Sequence, residues 1–200
     1  MRHPKFHVLA LLAALLPWRG EAADIAVADA TQFEVAVQRC QSGDVVILQD
    51  GSWKDVNLLF KGKGTAASPV TLRAATPGRV EISGNSQLRL AGEHLQVEGL
   101  WFRNAVPTAG DVITFREDSK NLAKNCRVTQ CAITQEAGLG DAKDRKWVSI
   151  YGQGNQVDHC HFSGKTGKGT LLVVWLEQGV EAGHVIEASY TPLHEDFGIG

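Results

Sequence analysis

The stretch "NQVDHCHF", residues 155–162, has three counterparts in the same chain, and this repetition decides the fold. The counterparts are "LQVEGLWF" at 95–102, "CRVTQCAI" at 126–133 and "GHVIEASY" at 183–190. With the last stretch moved by one residue, they superpose four β-branched residues at intervals of 31, 29 and 29 residues: Val97, Val128, Val157 and Ile186. Small or apolar residues recur three and five positions further along. The chain therefore contains a structural repeat of about thirty residues.

The composition of the repeat predicts which repeat fold it builds. Short β-branched runs such as "DVVIL", "PVTL", "RVEIS", "VSIY" and "LLVVW" are separated by turn residues, without helical periodicity. Helical repeats are therefore excluded, and a propeller blade would need more strands per unit. We predict an all-β fold, a right-handed parallel β-helix, in which inward side chains stack on those of coils ~4.8 Å away.

One short helix is predicted before the first coil. In "TQFEVAVQRC", residues 31–40, Thr31 and Glu34 have the spacing of a capping box. The apolar residues that follow have helical spacing, and they are Phe33, Ala36, Val37 and Cys40. A solenoid needs its open ends covered, so we expect this helix to cap the first coil.

Residues Asp158, His159, Cys160 and His161 are adjacent and have the chemistry of metal ligands, but the repeat separates them. It assigns Cys160 to an inward column with Val157 and Phe162. It also assigns Asp158 and His159 to a bend and points His161 outward. Such side chains cannot converge on one ion, so we predict structural roles and assign no catalytic or metal-binding residue.

The cysteines and the glycine-rich loops have no specific pattern for a site. No CxxC spacing occurs among Cys40, Cys126, Cys131 and Cys160. Cys131 and Cys160 share a column of successive coils, where two stacked thiols or a disulfide would both fit. "GKTGKGT" at 164–170 lacks the first glycine of a phosphate loop, and "GKGTAA" at 62–67 precedes an extended segment. Both are predicted to be turns.

Several aromatic and basic residues are candidates for contact with a sugar polymer. Trp53, Trp101 and Tyr151 are suited either to stacking on sugar rings or to packing in the core and turns. Four lysines are suited either to an acidic polymer or to solvated turns, namely Lys61, Lys63, Lys165 and Lys168. The sequence leaves both alternatives open for each residue.

The first 22 residues have the pattern of a secretory signal. A basic start precedes a short apolar run and small residues placed for cleavage after Ala22. We expect a periplasmic or secreted protein in which residues 23–200 form one β-helix domain. Removing the signal leaves 17 basic and 21 acidic residues, a net charge of −4. An acidic ligand would therefore need local cations or a bound metal.

Two segments of the chain resemble a known family. "DGSWKDV…GEHLQVEGLWFRN", residues 50–104, and "KWVSIYGQGNQVDHCHF…LLVVWL", residues 146–176, are similar to the N-terminal half of polysaccharide lyase family 6, the alginate lyases and chondroitinase B. The resemblance implies a β-helix fold and cleavage of an acidic polysaccharide by β-elimination. It implies a lysine base, an arginine at the leaving oxygen and a calcium ion that neutralises the uronate carboxylate.

The family's calcium ligands and its catalytic lysine and arginine follow the "LLVVWL" strand. Here the chain continues "EQGVEAGHVIEASYTPLHEDFGIG", which does not match their pattern. We therefore expect a C-terminally truncated part of an alginate lyase, inactive by itself, with calcium bound elsewhere in the whole protein. The alternatives are a chondroitinase-B-like glycosaminoglycan lyase, a non-catalytic polysaccharide-binding β-helix and a structural β-helix such as an adhesin.

Overall fold

Over the residues that the structure describes, the chain winds into a parallel β-helix of five turns, and one helix lies at its beginning. The structure, a computed structural model, describes residues 22–136, 145–187 and 189. Successive strands pass through three sheets, here called A, B and C, and each strand pairs in parallel with strands of neighbouring coils. The predicted fold class is confirmed. The predicted signal segment lies outside the described residues, except for Ala22.

The strands are short, as the β-branched runs predict. Sheet A contains β1 (Asp24–Val27), β2 (Val45–Leu48), β5 (Val70–Ala74), β8 (Leu95–Glu98), β12 (Arg127–Thr129), β15 (Gln156–Asp158) and β18 (Val185–Glu187). Sheet B contains β3 (Gly51–Lys54), β6 (Val80–Gly84), β9 (Trp101–Ala105), β13 (Ala132–Thr134) and β16 (His161–Ser163). Sheet C contains β4 (Asn57–Lys63), β7 (Gln87–Glu93), β10 (Ile113–Thr114), β11 (Ala123–Lys124), β14 (Val148–Ile150) and β17 (Leu172–Val174).

The predicted register of the repeat is confirmed. Val97 pairs with Val128, Val128 with Val157, and Val157 with Ile186. The first three are fully buried, whereas Ile186 in the last described strand is 44% exposed. In sheet B, Phe102, Ile133 and Phe162 are likewise paired and buried. The core is thus a set of apolar columns that run through the coils.

The bend between sheets A and B requires a left-handed backbone in each of three coils. Gly99 has φ 72°, Gln130 has φ 53° and His159 has φ 51°. Most L-residues avoid this region because Cβ approaches the following carbonyl. The recurrence of this conformation explains why the bend column contains glycine, glutamine and histidine instead of β-branched residues.

The helix α1 (Ala30–Arg39) begins earlier than the capping-box prediction implied, and that prediction was wrong. The N-cap is Asp29, whose carboxylate accepts the backbone N–H of Gln32 at 2.8 Å. The Gln32 side chain in turn accepts the N–H of Ala28. A carboxylate is a strong N-terminal acceptor, so Thr31 falls inside the first turn. Phe33 and the apolar residues beside it are buried in the core of the first coil.

A ladder of side-chain acceptors joins the coils at the turn between sheets C and A. The N–H of Leu95 donates to Cys126 Sγ, the N–H of Cys126 donates to Asn155 Oδ1, and the N–H of Asn155 donates to His184 Nδ1. The fully buried Asn155 also donates to two backbone carbonyls. Each coil therefore supplies the acceptor that the turn of the preceding coil lacks.

A buried carboxylate is paired on the outer side of sheet A. Asp158, which was predicted in the bend, is the last strand residue before it, and its side chain is 1% exposed. Arg127 on the neighbouring strand donates to both carboxylate oxygens, at 2.7 Å from Nη2 to Oδ2. Burial alone would raise the pKa of Asp158, but the hydrogen bonds from Arg127 bring it below its ordinary value.

The first prediction concerns the close approach of two coils at Gly152. Its φ is 83°, and an added Cβ would overlap the backbone carbonyl of Ala123. Gly78 has nearly the same φ, 78°, with open space around it. We expect Gly78→Ala to cost about 1–2 kcal/mol of unfolding free energy from backbone strain alone. Gly152→Ala will cost clearly more, as measured by urea unfolding. Equal losses in the two variants would contradict the close approach.

The second prediction concerns the Arg127–Asp158 pair. Arg127→Ala leaves a buried carboxylate without its partner and should cost on the order of 2 kcal/mol, less than a fully buried pair because the Arg127 side chain is 40% exposed. The control is Arg103→Ala, which removes an exposed pair and should change stability little.

The Arg127–Asp158 pair should also make the stability of the protein depend on pH. The pKa of Asp158 is lower in the folded protein than its ordinary value of 3.8, so its contribution is fully present above about pH 4 and is lost as the pH falls through the folded value. The stability difference between wild type and Asp158→Asn, measured by urea unfolding, should therefore shrink in acid. A difference that is constant from pH 7 to pH 2 would contradict this assignment.

Candidate functional site

The four residues Asp158, His159, Cys160 and His161 point in different directions. Asp158 is paired with Arg127, and the neighbouring His159 side chain is 57% exposed. Cys160 faces the core, whereas His161 lies on the outer side of sheet B and contacts Ser163 Oγ at 3.1 Å. Within the described part of the chain, no three His, Cys, Asp or Glu side chains are grouped to hold a metal ion. We therefore assign no described residue to the calcium that the resemblance implies.

The four cysteines are free thiols, and three of them are buried. Cys131 and Cys160 lie on successive coils, both are buried, and neither forms a disulfide. Burial raises the pKa of Cys160 to about 11 and raises that of Cys131 as well. Because the thiolate is the reactive form, these thiols are inert packing groups.

The three candidate aromatic residues have different environments. Trp53 is buried and its indole N–H donates to the carbonyl of Gln49, so it packs in the core. Trp101 is half-buried, and its indole N–H donates to Thr134 Oγ1. Only Tyr151 lies in an extended surface stack.

The candidate lysines are mostly engaged with the protein itself. Lys61 lies 3.5 Å from the Glu117 carboxylate, and Lys63 lies 3.0 Å from that of Glu93. Lys165 is buried, and its ammonium donates to the carbonyl of Lys168 at 3.2 Å. Lys165 therefore contacts the backbone of its own loop, whereas the Lys168 side chain is exposed.

Charge is distributed unequally among the three sheets. The strands of sheet C contain four cations and one carboxylate, namely Lys61, Lys63, Arg89, Lys124 and Glu93. The strands of sheet A contain two arginines and four carboxylates. Those of sheet B contain two cations and one carboxylate. Among their strand residues, sheet C therefore has the largest excess of positive charge, in a chain whose overall charge is negative.

The outer face of sheet C contains a column that the sequence analysis missed. Thr114 pairs with Ser149, and Ile150 pairs with Val174. Continuing this register beyond the strand ends aligns Arg116, Tyr151 and Trp175 on three successive coils. Alternation points all three outward, because Phe115, Ile150 and Val174 precede them on the inward side.

The side chains of this column stack on one another. The Arg116 guanidinium carbon lies 3.7 Å from the centre of the Tyr151 ring. The Trp175 ring lies parallel to Tyr151, at 5.8 Å between centres and 7° between planes. The indole N–H of Trp175 contacts Ser149 Oγ at 3.4 Å, and Ser149 donates to Asp111 at 2.6 Å. We call Arg116, Tyr151 and Trp175 the stacked column.

A second arginine lies beside the stacked column. Arg89 in β7 donates from Nη1 to the backbone carbonyl of Glu117, and its buried Nε has no partner among the described residues. Together with Lys124, it adds positive charge to the same face. This arrangement of guanidinium groups, aromatic rings and a lysine is suited to binding anionic sugars.

Comparison with known proteins identifies the family. The Chondroitinase B family model matches residues 27–192. The solved structure of AlyGC, an alginate lyase of polysaccharide lyase family 6, is 38% identical with a TM-score of 0.75, and the alignment covers 82% of this chain and 23% of AlyGC. A mannuronic-acid-specific family 6 lyase from the human gut microbiota is 31% identical with a TM-score of 0.73, covering 82% of this chain and 40% of that enzyme.

A third structure, the family 6 lyase Pedsa3628 from Pseudopedobacter saltans, is 29% identical with a TM-score of 0.72, covering 84% of this chain and 37% of that one. The comparison with curated proteins gave no match. This chain thus spans between about a quarter and two fifths of the length of these lyases. The resemblance read from the sequence is confirmed, and the chain belongs to polysaccharide lyase family 6.

Proposed function

We propose that this chain supplies a polysaccharide-binding part of a secreted lyase that acts on alginate. The observation that carries the proposal is the concentration of cations on sheet C in a chain of negative net charge. A polymer of uronates has one carboxylate per sugar, so it would be drawn to this face and repelled by sheet A. Family membership supports the same substrate class.

Alginate is preferred over a sulfated glycosaminoglycan because of the relatives. AlyGC is an alginate lyase, and the gut enzyme is specific for mannuronic acid. The family model bears the name of chondroitinase B, and this name supports the glycosaminoglycan alternative. Dermatan sulfate is therefore the competing ligand in the test below.

The cleavage reaction is proposed only for the whole protein. Calcium-assisted β-elimination needs a base, a group at the leaving oxygen and a metal site, and we assign none of these roles to a described residue. Export through the N-terminal signal agrees with a polymer substrate outside the cell. Within the described residues, no helix has the length and apolarity needed to cross a membrane.

The third prediction is that the chain binds alginate without cleaving it. We expect calorimetry to detect binding that weakens with salt, because exposed charges are screened. Lys124→Gln on sheet C should weaken binding by about two- to fivefold, the effect of one exposed charge. The matched control is Lys54→Gln on sheet B, also an exposed strand lysine, which should leave the affinity unchanged.

Cleavage is followed in the same samples by the ultraviolet absorbance of unsaturated uronate, with calcium added. Absence of alginate binding, or equal losses in the two lysine variants, would contradict the proposed binding face. Turnover by this chain would contradict our placement of the reaction elsewhere in the whole protein. Tighter binding of dermatan sulfate than of alginate would favour the glycosaminoglycan alternative, and binding without turnover by the whole protein would favour a non-catalytic β-helix.

A further inference from the structure

We infer that Arg116 is a carboxylate anchor on the outer face of sheet C, held against the Tyr151 ring so that an edge of its guanidinium meets a uronate of the polymer. This inference rests on the proposed function and assigns one residue and one ligand group to the binding face. The attraction of the polymer to sheet C depends on the sum of its charges, whereas this anchor depends on the geometry of a single side chain and on its free hydrogen-bond donors.

Among the described residues, the charge of Arg116 is not compensated by an ion pair, in contrast to the charges of five other basic residues. Each of these five basic residues forms an ion pair with a carboxylate, namely Lys61, Lys63, Arg73, Arg103 and Arg127. No carboxylate pairs with Arg116 among the residues that the structure describes. The adjacent Glu117 carboxylate is 3.5 Å from Lys61 instead. Arg116 therefore retains both its charge and its donors for a ligand.

The stacked column fixes where that charge lies. At 3.7 Å from the Tyr151 ring centre, the guanidinium is in van der Waals contact with the ring face. Stacking covers one face of the guanidinium but leaves the N–H groups in its plane open. Tyr151 is itself stacked on Trp175, and the Trp175 indole contacts Ser149, which is bonded to Asp111. Arg116 is thus ordered before the ligand arrives, and less entropy is lost on binding.

The geometry favours a ligand with two oxygen atoms in one plane. A guanidinium edge donates two parallel N–H···O bonds to a carboxylate, which is the acid group of every uronate. A sulfate ester also offers two oxygens, so glycosaminoglycan sulfate is the second source of the same chemistry. Neutral sugars offer no such acceptor. The anchor therefore predicts dependence on the acid groups of the polymer and not on its ring hydroxyls.

The test uses the chain with alginate oligosaccharides in calorimetry. Arg116→Gln should weaken binding by about tenfold or more, the effect of losing one charge-assisted hydrogen-bonded contact. Arg116→Lys keeps the charge but loses the planar pair of donors, so it should restore only a minor part of the affinity. Tyr151→Leu keeps Arg116 and removes its support, and a loss of about threefold or more is expected from preorganisation.

The matched control is Arg103→Gln. Arg103 also lies over a tryptophan ring, at 5.4 Å from Trp101, but it belongs to sheet B and is paired with Glu136 and Glu81. Its loss should leave alginate affinity within about twofold, which is less than one hydrogen bond contributes. Thermal melting of each variant confirms folding, and Arg116→Lys gives a second measurement if Arg116→Gln is unstable.

Experiments with different polymers distinguish a uronate carboxylate from a sulfate ester as the group that Arg116 binds. Alginate whose carboxylates are esterified should not distinguish wild type from Arg116→Gln, whereas free alginate should. A larger effect of Arg116→Gln on dermatan sulfate than on alginate would overturn the uronate assignment. Unchanged alginate affinity in Arg116→Gln, or full restoration by lysine, would overturn the anchor while the proposed function stands. Failure of the wild-type chain to bind alginate would overturn the proposed function and this inference with it.

Discussion

The stacking of equivalent side chains in successive coils is the interaction on which the rest of this structure depends. Val97, Val128 and Val157 lie in one buried column, and their strands pair in register. A shift of one residue in any strand would turn the apolar side chains outward. The inward columns therefore fix the outward ones. The positions of Arg116, Tyr151 and Trp175 follow from the burial of Phe115, Ile150 and Val174 beside them.

The columns of sheets A and B were predictable from the sequence, whereas for sheet C the sequence predicted individual strands but not their register. The segment that contributes to sheets A and B is continuous and recurs every 29 to 31 residues, so its columns are visible as a repeat. The residues of the stacked column are 35 and 24 positions apart, because segments of different length precede the sheet C strands. Comparison of "TFRED", "SIYGQ" and "VVWLE" by their apolar alternation would have revealed it.

Two local features depend on contacts that residue spacing alone does not predict: the N-cap of the helix and the buried position of Asp158. The capping-box spacing of Thr31 was a valid pattern, but Asp29 was two residues nearer the strand β1 and provided a charged acceptor. The repeat placed Asp158 in the bend beside His159. Its partner Arg127 is distant in sequence and made a buried position in the strand possible. The metal-like run around Asp158 owed its composition to these structural demands.

The ladder of side-chain acceptors between sheets C and A shares one property with the stacked column and with every other column of the solenoid. In each of them, every coil adds one side chain. Residues that are some thirty positions apart in the chain thus become neighbours about 4.8 Å apart on the surface. Such a surface is a linear array of side chains, and its length is set by the number of coils. Gain or loss of one whole coil changes how many sugar units of a linear polymer are contacted. The inward columns at the new junction keep the same register. The length of the surface can therefore change while the kinds of side chain on each coil stay the same.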